Sequence, residues 1–233
     1  MDPTSPEWRR LLATGAASFD VVLSDHQADL FARFAVELLH WNRRMNLTTI
    51  TDPLQILSKH FLDSLVPMSF LPPKARLLDI GSGGGFPGIP LKIANPQLDV
   101  RLVDASRKKV SFQKHVIRSL NLTGIDGEQY RLEADSRTVL SPKGFDVVVS
   151  RAFADLPAVV ERAWPQLAPA GLVIAWRGRP DPAQENRAVA LMAGAGWQCS
   201  VEQVPYRLPK VTAERHLVVL KVRRNSAARR NEP

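Results

Sequence analysis

The stretch Arg76-Leu77-Leu78-Asp79-Ile80-Gly81-Ser82-Gly83-Gly84-Gly85-Phe86 decides the fold. A short apolar run suited to a strand passes straight into a glycine-rich turn, and residues through about Ala94 then read as a helix. Glycines at such a junction let the backbone turn tightly and leave no Cβ between it and a ligand. The alternation continues downstream. Val100 to Asp104 reads as a strand, Lys108 to Leu120 as a helix, and 126–132 as a weakly signalled strand. Phe145 to Ser150 is a strand whose Val147-Val148-Val149 core suits a sheet buried on both faces. A helix over 155–167, the strand Leu172 to Trp176 and a helix over 183–194 follow. Strands at 198–204 and 215–223 with no helix between them form a terminal hairpin. This order predicts an α/β fold: a Rossmann-like, doubly wound, mostly parallel sheet with one antiparallel strand.

Upstream of Pro72-Pro73 the period is helical. Ser24-Asp25-His26-Gln27 forms a capping box, and Leu30, Phe31, Phe34, Leu38 and Trp41 recur at helical spacing. Asp52-Pro53 starts another helix, with Ile56, Leu57, His60, Phe61 and Leu65 on one face. The expected organisation is an N-terminal helical extension over 1–72, the sheet domain over 73–223 and a basic tail over 224–233. Arg223, Arg224, Arg229 and Arg230 lie at that end, where disorder is expected.

The chain has 233 residues, 31 Lys and Arg against 23 Asp and Glu, and a formal net charge of +8. That excess speaks of partners, and a polyanion such as nucleic acid is the first candidate. No apolar run is long enough to cross a bilayer, and the N-terminus lacks a signal-peptide pattern. Cys199, the one cysteine, cannot form an internal disulfide and reads as a buried small apolar residue. A cytoplasmic, monomeric protein without a metal site is expected.

Three nucleotide loops compete for residues 79–86. A Walker A loop ends in Gly-Lys-Ser/Thr, whereas Phe86-Pro87 stands here, which excludes kinase and ATPase chemistry. A dinucleotide fingerprint wants glycine or alanine where Phe86 sits. Asp-x-Gly-x-Gly-x-Gly matches fully at Asp79, Gly81, Gly83 and Gly85, and this resembles the first motif of class I S-adenosylmethionine-dependent methyltransferases. Asp104 closes the second predicted strand about 20 residues beyond the loop, where a carboxylate accepts from both hydroxyls of a ribose.

Further strings narrow the resemblance. They are Trp41-Asn42-Arg43-Arg44-Met45-Asn46-Leu47-Thr48, His60-Phe61-Leu62-Asp63-Ser64-Leu65, Gly85-Phe86-Pro87-Gly88-Ile89-Pro90, Ser150-Arg151-Ala152-Phe153 and Glu214-Arg215-His216-Leu217-Val218-Val219. Together, over roughly residues 25–222, they resemble the RsmG (GidB) family, bacterial enzymes that methylate a guanine N7 in 16S ribosomal RNA. The resemblance implies S-adenosylmethionine as cofactor, and the small ribosomal subunit or its assembly intermediate as partner. It places Gly81 and Phe86 in the cofactor loop, Leu132 and Glu133 beside the adenine, and Arg151 beside the methyl donor. Trp176-Arg177-Gly178 departs from the usual Lys-Gly of the family. Guanine N7 carries an in-plane lone pair and no proton, so its methylation rests on positioning and needs no general base. The absence of an Asp-Pro-Pro-Tyr or catalytic-cysteine motif fits this. The alternatives are a methyltransferase for another RNA or a small molecule, and a non-catalytic RNA-binding or assembly factor.

Asn42, Asn46, His60, Arg177 and Arg215 are the candidate RNA contacts. Asn42 and Asn46, four apart on a predicted helix face, suit RNA binding or hydrogen bonds to the adjoining loop. His60 and Asp63, three apart, suit a structural pair. Arg107, Lys108 and Lys109 suit a solvated face more than a phosphate contact, and Trp41 and Trp176 suit the core more than base stacking. Arg151 is the candidate catalytic residue, with a salt bridge to Asp155 as its structural alternative.

Overall fold

The computed structural model describes residues 1–133, 139–151, 154–209 and 211–224. Seven strands form one sheet: β1 (Arg76–Ile80), β2 (Asp99–Asp104), β3 (Ile125–Gln129), β4 (Phe145–Ser150), β5 (Leu167–Arg177), β6 (Trp197–Arg207) and β7 (Glu214–Arg224). Their order is β3-β2-β1-β4-β5-β7-β6. All pairings are parallel except those of β7, which runs antiparallel to both β5 and β6. The one antiparallel strand expected from the terminal hairpin is therefore β7, inserted between its hairpin partner and β5. Arg223 and Arg224 belong to this strand, paired with Gln198 and Trp197, and not to a tail. Residues Arg229 and Arg230 lie outside the described residues.

The side-chain alternation of the strands divides the core into two layers. Leu77, Val100, Leu102, Val147, Val149, Ile174 and Val219 face one way, while Leu78, Val103, Val148, Val173, Ala175 and Val218 face the other. Among the described residues, four helices that follow β1 flank the sheet: α5 (Gly88–Ala94), α6 (Arg107–Ser119), α7 (Leu156–Ala163) and α8 (Pro182–Gly194). α7 and α8 cover the second face. The first face is shared by α5 and α6 with the N-terminal helices α1 (Pro6–Ala17) and α2 (Asp25–Met45). Trp8 of α1 is fully buried and meets Phe61 edge-on, with ring centroids 5.9 Å apart. The helical extension thus contributes to the same apolar core as one face of the sheet.

α2 begins at the capping box: Ser24 accepts from Gln27 N–H, and the Gln27 side chain accepts from Ser24 N–H. It ends on Asn46 in the left-handed region, at φ 50°. Asn46 is therefore the cap, and it stays beside Asn42: its N–H donates to Asn42 O at 3.3 Å and both residues line one surface pocket. From Pro53 the chain forms a single turn, α3 (Pro53–Ile56), widens into a π-helical segment over Leu57–Leu62, and returns to α-helix as α4 (Asp63–Leu65). Such widenings recur at functional sites. The third predicted strand is shorter than expected, at Ile125–Gln129, and the helix expected over 155–167 stops at Ala163 before a 3₁₀ turn, Trp164–Gln166. Pro165 accounts for that stop, since it cannot donate the helical hydrogen bond. Cys199 is half-exposed on β6, contrary to its expected burial; desolvation pushes its thiol up to about 11.

Candidate functional site

Strand order reverses between β1 and β4, and in open α/β sheets ligands bind at the carboxyl ends of the strands beside that point. The glycine loop leaves β1 there. Gly81 and Ser82 N–H groups donate to Val103 O at 2.9 and 3.1 Å, tying the loop to β2. Gly83 N–H donates to the Asp104 carboxylate at 2.9 Å, and the other Asp104 oxygen accepts from Ser106 N–H at 2.8 Å. Gln113 of α6, fully buried, donates to Gly83 O and Ser82 Oγ at 2.7 and 2.9 Å. This residue escaped the sequence reading. Its signal was a polar side chain within the apolar stripe of Val110, Val116 and Ile117.

A cleft of about 360 Å³ opens above the loop. It is lined by Ile80, Gly81, Asp104, Tyr130, Leu132 and Glu133, among others, so Gly81, Asp104, Leu132 and Glu133 come together as the sequence suggested. Gly83 has φ +56°, and a Cβ there would find nothing nearer than Gly81 O at 3.9 Å, so the space in front of the loop is open. Gly85, at φ +89°, is instead confined by packing, because a Cβ would lie 2.4 Å from Ile89. Phe86 points away from the cleft. It stacks between Phe34 and His60, with centroids 5.1 and 4.6 Å away, and its ring supports the Arg151 guanidinium at 5.1 Å.

Two features fit a cationic nucleoside such as S-adenosylmethionine. Asp104 sits at the end of β2, where a ribose acid belongs. Asp79, fully buried, accepts from Gly88 N–H at 2.8 Å through one oxygen, while its other oxygen has no hydrogen-bond partner among the described residues. Burial raises its pKa to about 7, opposed by the Gly88 N–H and the charge of Arg151 and reinforced by Asp104. A cation beside that carboxylate relieves the penalty.

Arg151 directly follows β4 at the strand-order reversal. Its partner is not Asp155, which caps α7 by accepting from Ala158 N–H. Arg151 instead bonds to the N-terminal segment: Nη1 donates to Asp63 Oδ2 at 3.2 Å and to Lys59 O at 3.0 Å, and Nη2 to His60 Nδ1 at 3.1 Å. Burial lowers its pKa, against the pull of Asp63. Since Nδ1 accepts, His60 carries its proton on Nε2, which meets Thr48 Oγ1 at 2.9 Å. Desolvation first, then Arg151 and Arg215, push His60 down to about 3, so the ring is neutral. His60 and Asp63 are thus joined through Arg151 and not directly.

The other RNA candidates divide. Asn42 is engaged in both directions with the Thr48 backbone, at 2.9 Å each way, while Asn46 is an exposed cap. Arg215 pairs with buried Asp63 at 3.2 Å. Arg177 donates to its neighbour's Trp176 O, and its Nε and Nη2 are buried without hydrogen-bond partners among the described residues; desolvation lowers its pKa, against the charge of Asp155. Trp176 is buried, as expected, and donates to Asp63 O. Trp41 is only half-buried, packed on His115 at 4.8 Å. Ala152 and Phe153 lie outside the described residues.

A family model described as rRNA small subunit methyltransferase G matches residues 27–218. The chain belongs to the rRNA small subunit methyltransferase G family. Its similarity to family members is nearly end to end. The enzyme of that name from Geobacter sp. (strain M21) is 42% identical over 216 residues, 91% of this chain and 96% of the relative. That from Myxococcus xanthus (strain DK1622) is 40% identical over 208 residues, 89% of this chain and 94% of the relative. Among solved structures, a methyltransferase from Pyrococcus furiosus superposes with TM-score 0.54 at 15% identity, covering 83% of this chain and 98% of its own. A SAM-dependent methyltransferase from Aquifex aeolicus gives 0.53 at 16%, covering 76% and 97%. These two likenesses show a shared class I methyltransferase fold, whereas the sequence relatives carry the family.

Proposed function

We propose that this member of the rRNA small subunit methyltransferase G family transfers the methyl group of S-adenosylmethionine to N7 of a guanine in 16S ribosomal RNA. Gly81 and Gly83 present backbone to the donor, Asp104 takes its ribose hydroxyls, Leu132 and Glu133 border its adenine, and Asp79 faces its positive charge. When bound, the sulfonium supplies an already activated methyl group. Arg151 holds the acceptor side of the site through its planar fork of N–H groups.

The observation that carries the N7 reading is the state of His60. It is the imidazole beside Arg151, and both its ring nitrogens are engaged, one by Arg151 and one by Thr48. A neutral, fully bonded imidazole is no base for an exocyclic amine. Cys199 lies on β6 with its thiol pushed up, which is the wrong state for attack at a ring carbon. N7 needs neither group, only alignment. Mapping methylated guanines in 16S RNA from cells lacking the gene, with and without complementation, tests the proposal. One N7-methylguanine should vanish and return; loss of a methyl on an exocyclic amine or a ring carbon instead would overturn it.

The cations beside the site suit the RNA backbone. α2 and α6 run antiparallel along one seam, marked by Arg33 on Ser119 O, Glu37 on His115 at 2.7 Å, and Trp41 on Phe112 at 5.6 Å. Continuing that seam leads from Trp41 toward Arg44 on α2 and toward Lys108 on α6. Arg43, Arg44, Arg107 and Lys108 are all exposed, and Lys109 stands 4.0 Å from Asp104 at the cleft. This cluster lies at the carboxyl edge of the sheet, where phosphates contacted by lysine and arginine fix register without reading sequence.

A further inference from the structure

The strings that look most like RNA contacts in the sequence turn inward. Asp63 is fully buried, and its carboxylate makes four contacts among the described residues. Oδ1 accepts from Tyr206 Oη at 2.6 Å and meets Arg215 Nε at 3.2 Å; Oδ2 accepts from Arg151 Nη1 at 3.2 Å and Arg215 Nη2 at 3.3 Å. On the other side of Arg151 runs a relay. Asn42 fixes the Thr48 backbone, the Thr48 hydroxyl meets His60 Nε2, and His60 Nδ1 accepts from Arg151 Nη2. Lys59 O, from the π-helical segment, completes the cradle. Three of the five guanidinium N–H groups are thereby used, and Phe86 supports the plane.

We infer that Asp63 is a positioning residue for methyl transfer, locking the Arg151 fork so that its remaining N–H groups face the reacting partners in one orientation. This rests on the reading of Arg151 given above. A buried carboxylate whose only task was to neutralise Arg151 needs one bidentate contact. Asp63 is instead held by two further hydrogen bonds and an ion-pair contact from β6 and β7, which fix its own position, and its backbone oxygen accepts a third hydrogen bond from Trp176 on β5. The cradle therefore couples the N-terminal segment to the ends of β4, β5, β6 and β7, and it transmits that rigidity to a single guanidinium. In such an arrangement the position of the carboxylate matters as well as its charge.

The test is a double-mutant cycle on the full chain with Asp63→Asn, Arg151→Ala and the double variant, assayed by methyl transfer to small-subunit particles from a strain lacking the gene. Arg151→Ala should cut kcat/KM at least tenfold. Asp63→Asn should do the same alone, yet cost less than threefold when added to Arg151→Ala, because residues acting as a unit are not additive. Losses that multiply would overturn the inference while leaving Arg151 intact. A fully active Arg151→Ala variant would instead overturn the reading of Arg151 itself. Asp63→Glu guards against a folding defect. It keeps the charge and shifts the carboxylate by one methylene, so its melting temperature should exceed that of Asp63→Asn while its activity stays at least tenfold down. Full activity in Asp63→Glu would show that charge alone suffices and sink positioning. A second readout needs no turnover: the Nη protons of Arg151 should give separate NMR signals in the wild type and coalesce in Asp63→Asn. Separate signals in both proteins would count against the lock.

Discussion

Asp79 and Asp104 show how two carboxylates of one site acquire different tasks from their surroundings. Asp104 has both oxygens occupied by loop N–H groups, so it shapes the loop as well as offering acceptors to a ribose. Asp104→Ala should weaken S-adenosylmethionine binding by on the order of 1.5–3 kcal/mol, the range for hydrogen bonds to a charged group. Asp79 has one buried oxygen without a hydrogen-bond partner among the described residues and a pKa raised to about 7 by burial. Below that pH it holds a proton, and a cationic ligand favours the carboxylate, so binding expels the proton. Affinity for the donor should therefore rise as pH increases from 6 to 8, by up to about tenfold per unit. Its calorimetric enthalpy should also change with the ionisation heat of the buffer. A donor affinity flat across that range would remove Asp79 from the binding site, and Asp79→Asn should flatten it by design. Both acids were legible in the sequence, Asp79 as the first residue of the glycine motif and Asp104 as the end of the strand that follows it. Tyr130 and Gln113 were not, since tertiary packing brings Tyr130 to the cleft from the end of β3 and Gln113 to the glycine loop from α6.

Among the elements, strands and helices with a strong period were placed within a residue or two by sequence, as with β1, β4 and α8. β5 is longer than its apolar run because Leu167 pairs with Phe145 across a register shift, and Ala168-Pro169-Ala170-Gly171 carries no strand signal. The π-helical segment was invisible for a different reason. It changes which carbonyl each N–H reaches and leaves residue types untouched. Local spacing joined His60 to Asp63, but their common partner came from β4, and Tyr206 and Arg215 from the terminal hairpin. A tertiary network has no signature within one element. The α2–α6 seam is the other such case, since neither helix alone announces a basic edge. Charge reversal there, Arg44→Glu or Lys108→Glu, should lower affinity for small-subunit particles and reduce the slope of log affinity against log salt by about 1 per lost phosphate contact. Donor binding should stay the same. A salt slope identical to the wild type would mean that these side chains are merely solvated.

The molecule as a whole carries two buried titrating groups whose effects on stability oppose each other. His60 has a native pKa of about 3 against an ordinary 6.5, set by desolvation and by Arg151 and Arg215. Between these values the unfolded chain binds a proton that the native chain refuses, so stability falls as pH drops through that window. Asp79 behaves in the opposite sense. Its native pKa of about 7 lies above an ordinary 3.8, so the native chain binds the proton first and stability rises as pH drops from 7 toward 4. Each contributes a slope of at most about 1.4 kcal/mol per pH unit, and over their shared range, pH 4 to 6.5, the two nearly cancel. Substitution separates them. His60→Gln keeps an acceptor for Arg151 and a donor for Thr48 while removing the titration, so its stability relative to the wild type should climb steadily from pH 6.5 to 4. Asp79→Asn keeps the shape of a protonated acid, so its stability relative to the wild type should move the other way, declining from pH 7 to 4. Carboxylates remote from both residues cancel in the differences. Urea unfolding at pH 4, 5, 6 and 7 measures both slopes. Differences of the same sign, or a His60→Gln difference independent of pH, would show that the imidazole is not held neutral against the Arg151 guanidinium in the folded chain.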